Sequence, residues 1–435
     1  MSAVRVDAEQ LTLEPPGRLR SAWGRPTGLR AAAGLGLLAV IGPGLMVMLA
    51  DTDVGSVVTA AQSGAEWGYR LLPLEVVLIP VLYLVMELTA RLGIATGKGH
   101  AALIKERFGR GWALLSVATL GVTAVGALVT EFAGIAGVAS LVGLSPNLVV
   151  PAAAVLLALV VVSGTYRRVE LIGISLGLFE VAFLVAAIQA HPDPASLARS
   201  LWAGQPFGNG SYLALAMANV GAVVMPWMLF YQQAAIVDKR LTARNLRAAR
   251  VDIAVGAVIT QVVMIAVLVA TGATLAGRRA GSLATVSQIS NALEPSLGPA
   301  VARLAFALGV TGAALVAAIV VSLAASWAVA ELGGKPRSLN RPAGAAPLFY
   351  GAYFCALIVA AVLVLTSASL VRLAVDIEIL NAILLPIVLG FLVALAWTVL
   401  PAPFRLRRVE RLALLAVIAA VVVAGLAAMT AAVRL

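Results

Sequence analysis

Eleven apolar stretches, each near the ~20 residues that cross a bilayer as a helix, recur through this chain. They lie at about 35–62, 71–96, 113–142, 147–166, 171–190, 211–237, 252–275, 300–331, 347–367, 371–399 and 411–433. A backbone in hydrocarbon must satisfy its own polar groups, so the pattern predicts an all-α membrane protein. Composition agrees: 61% of the 435 residues are hydrophobic, 12% are charged, and the mean hydropathy is +1.01. Soluble enzyme classes are excluded on that ground. The single cysteine, Cys355, excludes an internal disulfide framework and any multi-cysteine metal site. His100 and His191 are too few and too far apart for a zinc or haem centre. The net charge of +11 does not point to nucleic acid, because the basic residues fall in short connections between apolar runs.

Counting Lys and Arg in alternate connections sets the expected orientation. One set carries 23 of the 31: the N-terminal tail, 97–112, Arg167 with Arg168, 238–250, 335–341 and 405–411. The N-terminus is therefore expected in the cytoplasm and the C-terminus outside. Residues 1–33 are polar and Arg-rich without a short apolar core, and read as a disordered cytosolic tail, not a cleavable signal. Residues 34–435 read as one transmembrane domain, with 97–112 expected to form a short helix on the inner face. The Ala- and Arg-rich composition suggests a bacterial plasma membrane.

An odd repeat of five spans forces a second copy to insert upside down. Residues 35–190 and 211–399 form two such units, with 411–433 as an extra helix. The first span of each unit carries breakers: Gly42-Pro43-Gly44 and Asp51-Thr52-Asp53-Val54-Gly55-Ser56 in one, Asn219-Val220-Gly221-Ala222 and Met225-Pro226 in the other. Proline removes a donor and glycine relaxes the backbone, so carbonyls are freed inside the membrane. A carboxylate there costs roughly 2.5–3.5 kcal/mol on the gentlest insertion scale and is kept where an ion, water or partner offsets it. Asp51 and Asp53 stand about 200° apart on a helix and share a face only if it unwinds.

These residues carry a resemblance. Gly42-Pro43-Gly44, Asp53-Val54-Gly55-Ser56, then Thr59, Gln62, Gly64, Ala65, Gly68 and Tyr69, resemble the first helix of the Nramp divalent-metal transporters, which reads Asp-Pro-Gly-Asn at the same distance. Glu87-Leu88-Thr89-Ala90-Arg91-Leu92-Gly93-Ile94-Ala95-Thr96-Gly97 resembles the second, and Gly221-Ala222-Val223-Val224-Met225-Pro226 the sixth. The resemblance implies a leucine-transporter-like inverted repeat with discontinuous first and sixth helices. It implies a metal site at Asp53, Ser56, Met225 and the backbone oxygens of Ala50 and Ala222. A thioether favours manganese or iron over magnesium.

The departures matter too. Where the family has His-Asn after Met-Pro, this chain has Trp227-Met228. Glu131 matches one acid of the family's third-helix proton route, and Gly134 stands at the other. Losing a group that titrates near neutrality weakens the case for a proton as co-substrate. Replacement of Asn by Ser56 and of His by Trp227 resembles the Nramp-related magnesium transporters, while Met225 argues against that branch. Counting back from Pro386, Glu378 stands where the family has Gln, placed to hold a metal's water. Asp51, Gln232 and Trp227 complete the candidate surroundings, with Gln232 and Gln233 beside an inner exit path. Glu87 and Arg91 have intrahelical ion-pair spacing, and Glu180 has no evident partner. The reading is a carrier bringing a divalent cation inward by alternating access, its partners the ion and the lipid bilayer. No cofactor and no nucleic acid are expected, and the sequence leaves the oligomeric state open, a monomer being compatible with it. A sodium-coupled organic-substrate carrier of the same architecture explains the breaks but not the Asp53 and Met225 pair. A membrane enzyme finds no motif in this sequence.

Overall fold

The computed structural model describes residues 42–275, 286–292, 294, 298–366 and 370–432. The expected tail and the start of the first span lie outside them. Among the described residues every regular element is helical. In chain order the principal helices are α1 (Pro43–Asp51), α2 (Val54–Trp67), α3 (Leu72–Thr96), α4 (His100–Phe108), α5 (Arg110–Leu141) and α6 (Pro146–Val162). They continue as α7 (Tyr166–Gln189, with a 3-10 turn at Leu178–Glu180), α8 (Gly210–Val223), α9 (Pro226–Asp238), α10 (Leu246–Leu275) and α11 (Pro299–Gly333). The last are α12 (Pro347–Thr366), α13 (Leu370–Thr398) and α14 (Arg408–Ala432). Prolines open α1, α6, α9 and α11, where a missing amide costs nothing and the fixed φ suits the first turn.

Among the described residues eight spans are long and apolar enough to cross a bilayer, and the pair α1–α2, bent by 48°, makes a ninth. The other two expected spans correspond to α6, a 17-residue apolar helix, and α14. The sequence expectation for 97–112 resolves into α4 and the start of α5. Burial follows the expected roles. In the α8–α9 span 78% of the apolar window is buried and in α11 72%, against 28% for α7, so the broken helix lies at the centre of the bundle.

Within the described part of the first span the interruption comes at Thr52 and Asp53, inside the expected breaker stretch at 51–56, and Gly42 is the N-cap of α1. Glycine is required at 42, where φ is 155° and a Cβ would collide with the Glu170 carboxylate. The amides exposed at this helix start are taken by Asp252 of α10, whose carboxylate accepts from Gly42 (3.2 Å), Gly44 (2.7 Å) and Leu45 (3.1 Å). In the sixth span α8 continues through Gly221 and Ala222, and the break falls at Val224 and Met225.

Candidate metal-ion site

Two interrupted helices end and restart against each other at the centre of the bundle. Asp53 is the N-cap of α2, and its Oδ1 accepts from the Ser56 amide at 2.7 Å. That amide would otherwise be an orphan of the helix start. The Val54 amide beside it donates to Glu131 Oε2 of α5 at 3.2 Å, so two carboxylates serve one helix N-terminus, where the dipole favours negative charge. Ser56 reaches across to the other break and donates its hydroxyl to the Ala222 carbonyl at 3.0 Å. Asp53, Ser56, Glu131 and Ala222 are thus brought together.

Glu378 joins them through two glycines. A Cβ on Gly55 would fall on the Glu378 carboxylate, and one on Gly221 would overlap the Glu378 carbonyl. The two bare backbones let α13 press between the broken helices. Glu378 Oε2 accepts from Asn381 at 2.9 Å while Oε1 is buried without a partner. Asp376, by contrast, lies on an exposed position of α13.

On the side of α1, the last turn leaves carbonyls without intrahelical donors. Met48 O accepts from Thr260 and Leu49 O from Thr52, both at 2.7 Å. Ala50, fully buried, follows in the same turn, and Asp51 ends it with Oδ1 unpartnered. The Thr52 hydroxyl also lies within hydrogen-bonding distance of Glu180 of α7, which supplies the partner missing from the sequence reading. Met225 is fully buried, but its sulfur accepts from Trp227 Nε1 at 3.1 Å, so the indole that replaces the family's histidine engages the thioether. Gln232 is buried with Oε1 unpartnered, whereas Gln233 ties α9 to α4 through His100 (3.0 Å) and the Lys98 carbonyl (2.9 Å). Gly134 has no room for an acid, because the Val54 side chain fills the space a Cβ would need.

Sequence reasoning missed Asp252 and Glu75. Glu75 is fully buried in the first turn of α3, and the Gln261 amide nitrogen, turned toward it, lies 2.9 Å from its Oε2. The available signal was an acid just inside an apolar span, two residues after Pro73. Together Asp51, Asp53, Glu75, Glu131, Glu180 and Glu378 are buried, and among the described residues none pairs with a lysine or arginine. Asp51 lies within range of the charges of Asp53, Glu378, Glu75 and Glu180. No three of His, Cys, Asp and Glu come together as a metal-ligand set among the described residues, so any ion here would draw on carbonyl, hydroxyl or thioether donors as well.

Comparison with known proteins agrees with this arrangement. The family model described as natural resistance-associated macrophage protein-like matches residues 44–431. A divalent metal cation transporter MntH of Yersinia pestis (strain Pestoides F) is 31% identical over 296 residues, covering 66% of this chain and 71% of that protein. Its counterpart in Pectobacterium carotovorum is 29% identical over 295 residues, with the same coverage. A crystal structure of an Eremococcus coleocola manganese transporter superposes with a TM-score of 0.77 at 18% identity, covering 94% of this chain and 89% of that one. A sodium-coupled sialic acid symporter follows at 0.60 and 13% identity, over 82% and 78% of the two chains. With a family match spanning nearly all of the described helices, the chain belongs to the Nramp family of transport proteins.

Proposed function

We propose that this protein is a secondary transporter that brings a divalent metal cation into the cytoplasm by alternating access. The observation that carries the reading is the group of buried carboxylates around two facing helix breaks, several with an oxygen that has no partner. Carboxylates in a membrane interior need compensating positive charge, and among the described residues no lysine or arginine pairs with them. A divalent ion fits that deficit. Asp53 Oδ2, Ser56 and the carbonyls of Ala50 and Ala222 are the proposed ligands, with Met225 as a soft donor and Glu378 holding a water of the ion. Asp51, Glu131 and Gln232 line its surroundings. The names of the bacterial relatives and of the structural neighbour support a divalent, manganese-type substrate.

The domain is read as eleven crossings, five plus five inverted and one extra, with the N-terminus inside and the C-terminus outside a bacterial plasma membrane. The relatives and the basic connections at 97–112, 238–250, 335–341 and 405–411 support this. A second reading, magnesium uptake without a proton, is favoured by the bond from Trp227 to the Met225 sulfur and by the extra carboxylate of Glu378. Magnesium takes oxygen ligands and keeps its waters. Reconstituted liposomes with a pH-sensitive dye inside separate the two. Manganese uptake with acidification, unaffected by excess magnesium, supports proton-coupled transition-metal transport. Magnesium uptake without acidification supports the second reading, and uptake of neither ion overturns both.

A further inference from the structure

A second charged assembly stands apart from the helix breaks. α3, α10, α14 and the α13–α14 connection enclose a cavity of about 360 Å³ at the end of the bundle that carries the basic connections. Its floor is an ion network. Arg91 of α3 bonds Glu87 at 2.7 and 3.1 Å and Glu410 of α14 at 3.1 Å, and it reaches the Phe404 carbonyl at 3.4 Å. Arg250 of α10 donates from Nε to Glu87 Oε1 at 2.7 Å, the oxygen that Arg91 Nε also reaches.

The network leaves positive charge over. Arg91, Arg250, Arg405 and Arg407 line the cavity against two carboxylates, Glu87 and Glu410. Arg91 is consumed by its partners. Arg250 uses only Nε in those bonds, and the side chains of Arg405 and Arg407, both exposed, form no ion pair among the described residues. Guanidinium groups with free Nη donors match phosphate oxygens bidentately. The wall also carries apolar side chains, with Leu84, Leu246 and Leu414 facing the same space. A free phosphate gains nothing from that wall, whereas a lipid gains both charge and contact with it. Basic pockets between membrane helices bind anionic headgroups by this division of labour.

We infer that this cavity seats the phosphate headgroup of an anionic phospholipid, clamping α14 to α3 and α10. The site is independent of which ion the helix breaks transport. It is tested by native mass spectrometry of the full-length protein, titrated separately with phosphatidylglycerol, phosphatidylcholine and inorganic phosphate. The wild type is expected to retain phosphatidylglycerol at least tenfold more tightly than phosphatidylcholine, and phosphate at equal concentration should not displace it. Arg405→Gln/Arg407→Gln, which breaks none of the described ion pairs, should lose that preference, and Arg405→Lys/Arg407→Lys should keep part of it. Thermal melting gives a second readout, with phosphatidylglycerol raising the midpoint of the wild type and not of the Gln pair. Equal retention of the two lipids, unchanged preference in the Gln pair, or displacement by phosphate would overturn the assignment. If the Gln pair does not fold, Arg250→Gln takes its place under the same criteria.

Discussion

One oxygen of Asp53 is engaged in capping α2, so only Oδ2 remains for a ligand. Asn caps a helix about as well as Asp, which allows the two roles to be separated. Asp53→Asn should reduce metal uptake into liposomes to background while moving the thermal midpoint little; wild-type uptake in this variant would remove Asp53 from the site. Met225→Ala should lower manganese and cadmium uptake more than magnesium uptake, and an equal loss for all three would make the thioether a packing group. Outside the spans, His100 is buried with Nδ1 on Gln233 and its ring against Phe230, and burial lowers its pKa to about 4. The unfolded chain binds a proton below about 6.5 while the folded chain does not, so stability falls as pH drops from 6.5 toward 4. At its full extent this loss is on the order of 3 kcal/mol. Thermal unfolding between pH 7 and 4.5 should show this loss in the wild type and a shallower slope in His100→Gln. At this scale the sequence was legible for Asp53, Ser56 and Glu131, because polar groups inside apolar runs announce themselves. It was silent on the Trp227 to Met225 bond, which depends on a side-chain direction that spacing does not give.

Between elements, the geometry depends on where backbones touch. Gly55 and Gly221 admit Glu378 and its carbonyl between the broken helices. In an open helix interior, glycine to alanine stabilises by roughly 1 kcal/mol. Here the added methyl has no space, and overpacking costs about 1–3 kcal/mol. Gly221→Ala is the sharper test, since its neighbour is backbone and cannot rotate away. It should lower the thermal midpoint and reduce uptake, and a stabilised, active variant would contradict the close packing of α8 on α13. The breaks themselves were readable from glycine, proline and paired aspartates. What no local pattern encodes is a distant partner: Asp252 accepts the amides at the start of α1 from 210 and 208 residues away. For the same reason Glu180 looked solitary until α7 packed beside Thr52.

For the whole molecule, apolar run lengths gave the spans and the loop charges gave an orientation that labelling can check. In a Cys355→Ser background, Ala198→Cys should react with a membrane-impermeant maleimide from outside intact cells, and Ala345→Cys only after permeabilisation; the reverse pattern would invert the topology. The break at Asp53 also has a consequence for how the chain is made. Asp51 and Asp53 leave the ribosome with the first span, yet the groups that shelter that stretch arrive late: Glu180 lies 128 residues after Thr52, and Ala222 lies 166 after Ser56. At synthesis rates of about 5–20 residues per second, that is a wait of roughly 6 to 33 s. During this interval the first span is a poorly inserting helix with two exposed acids, which makes it the segment whose entry into the membrane depends most on the insertion machinery and on helices not yet translated.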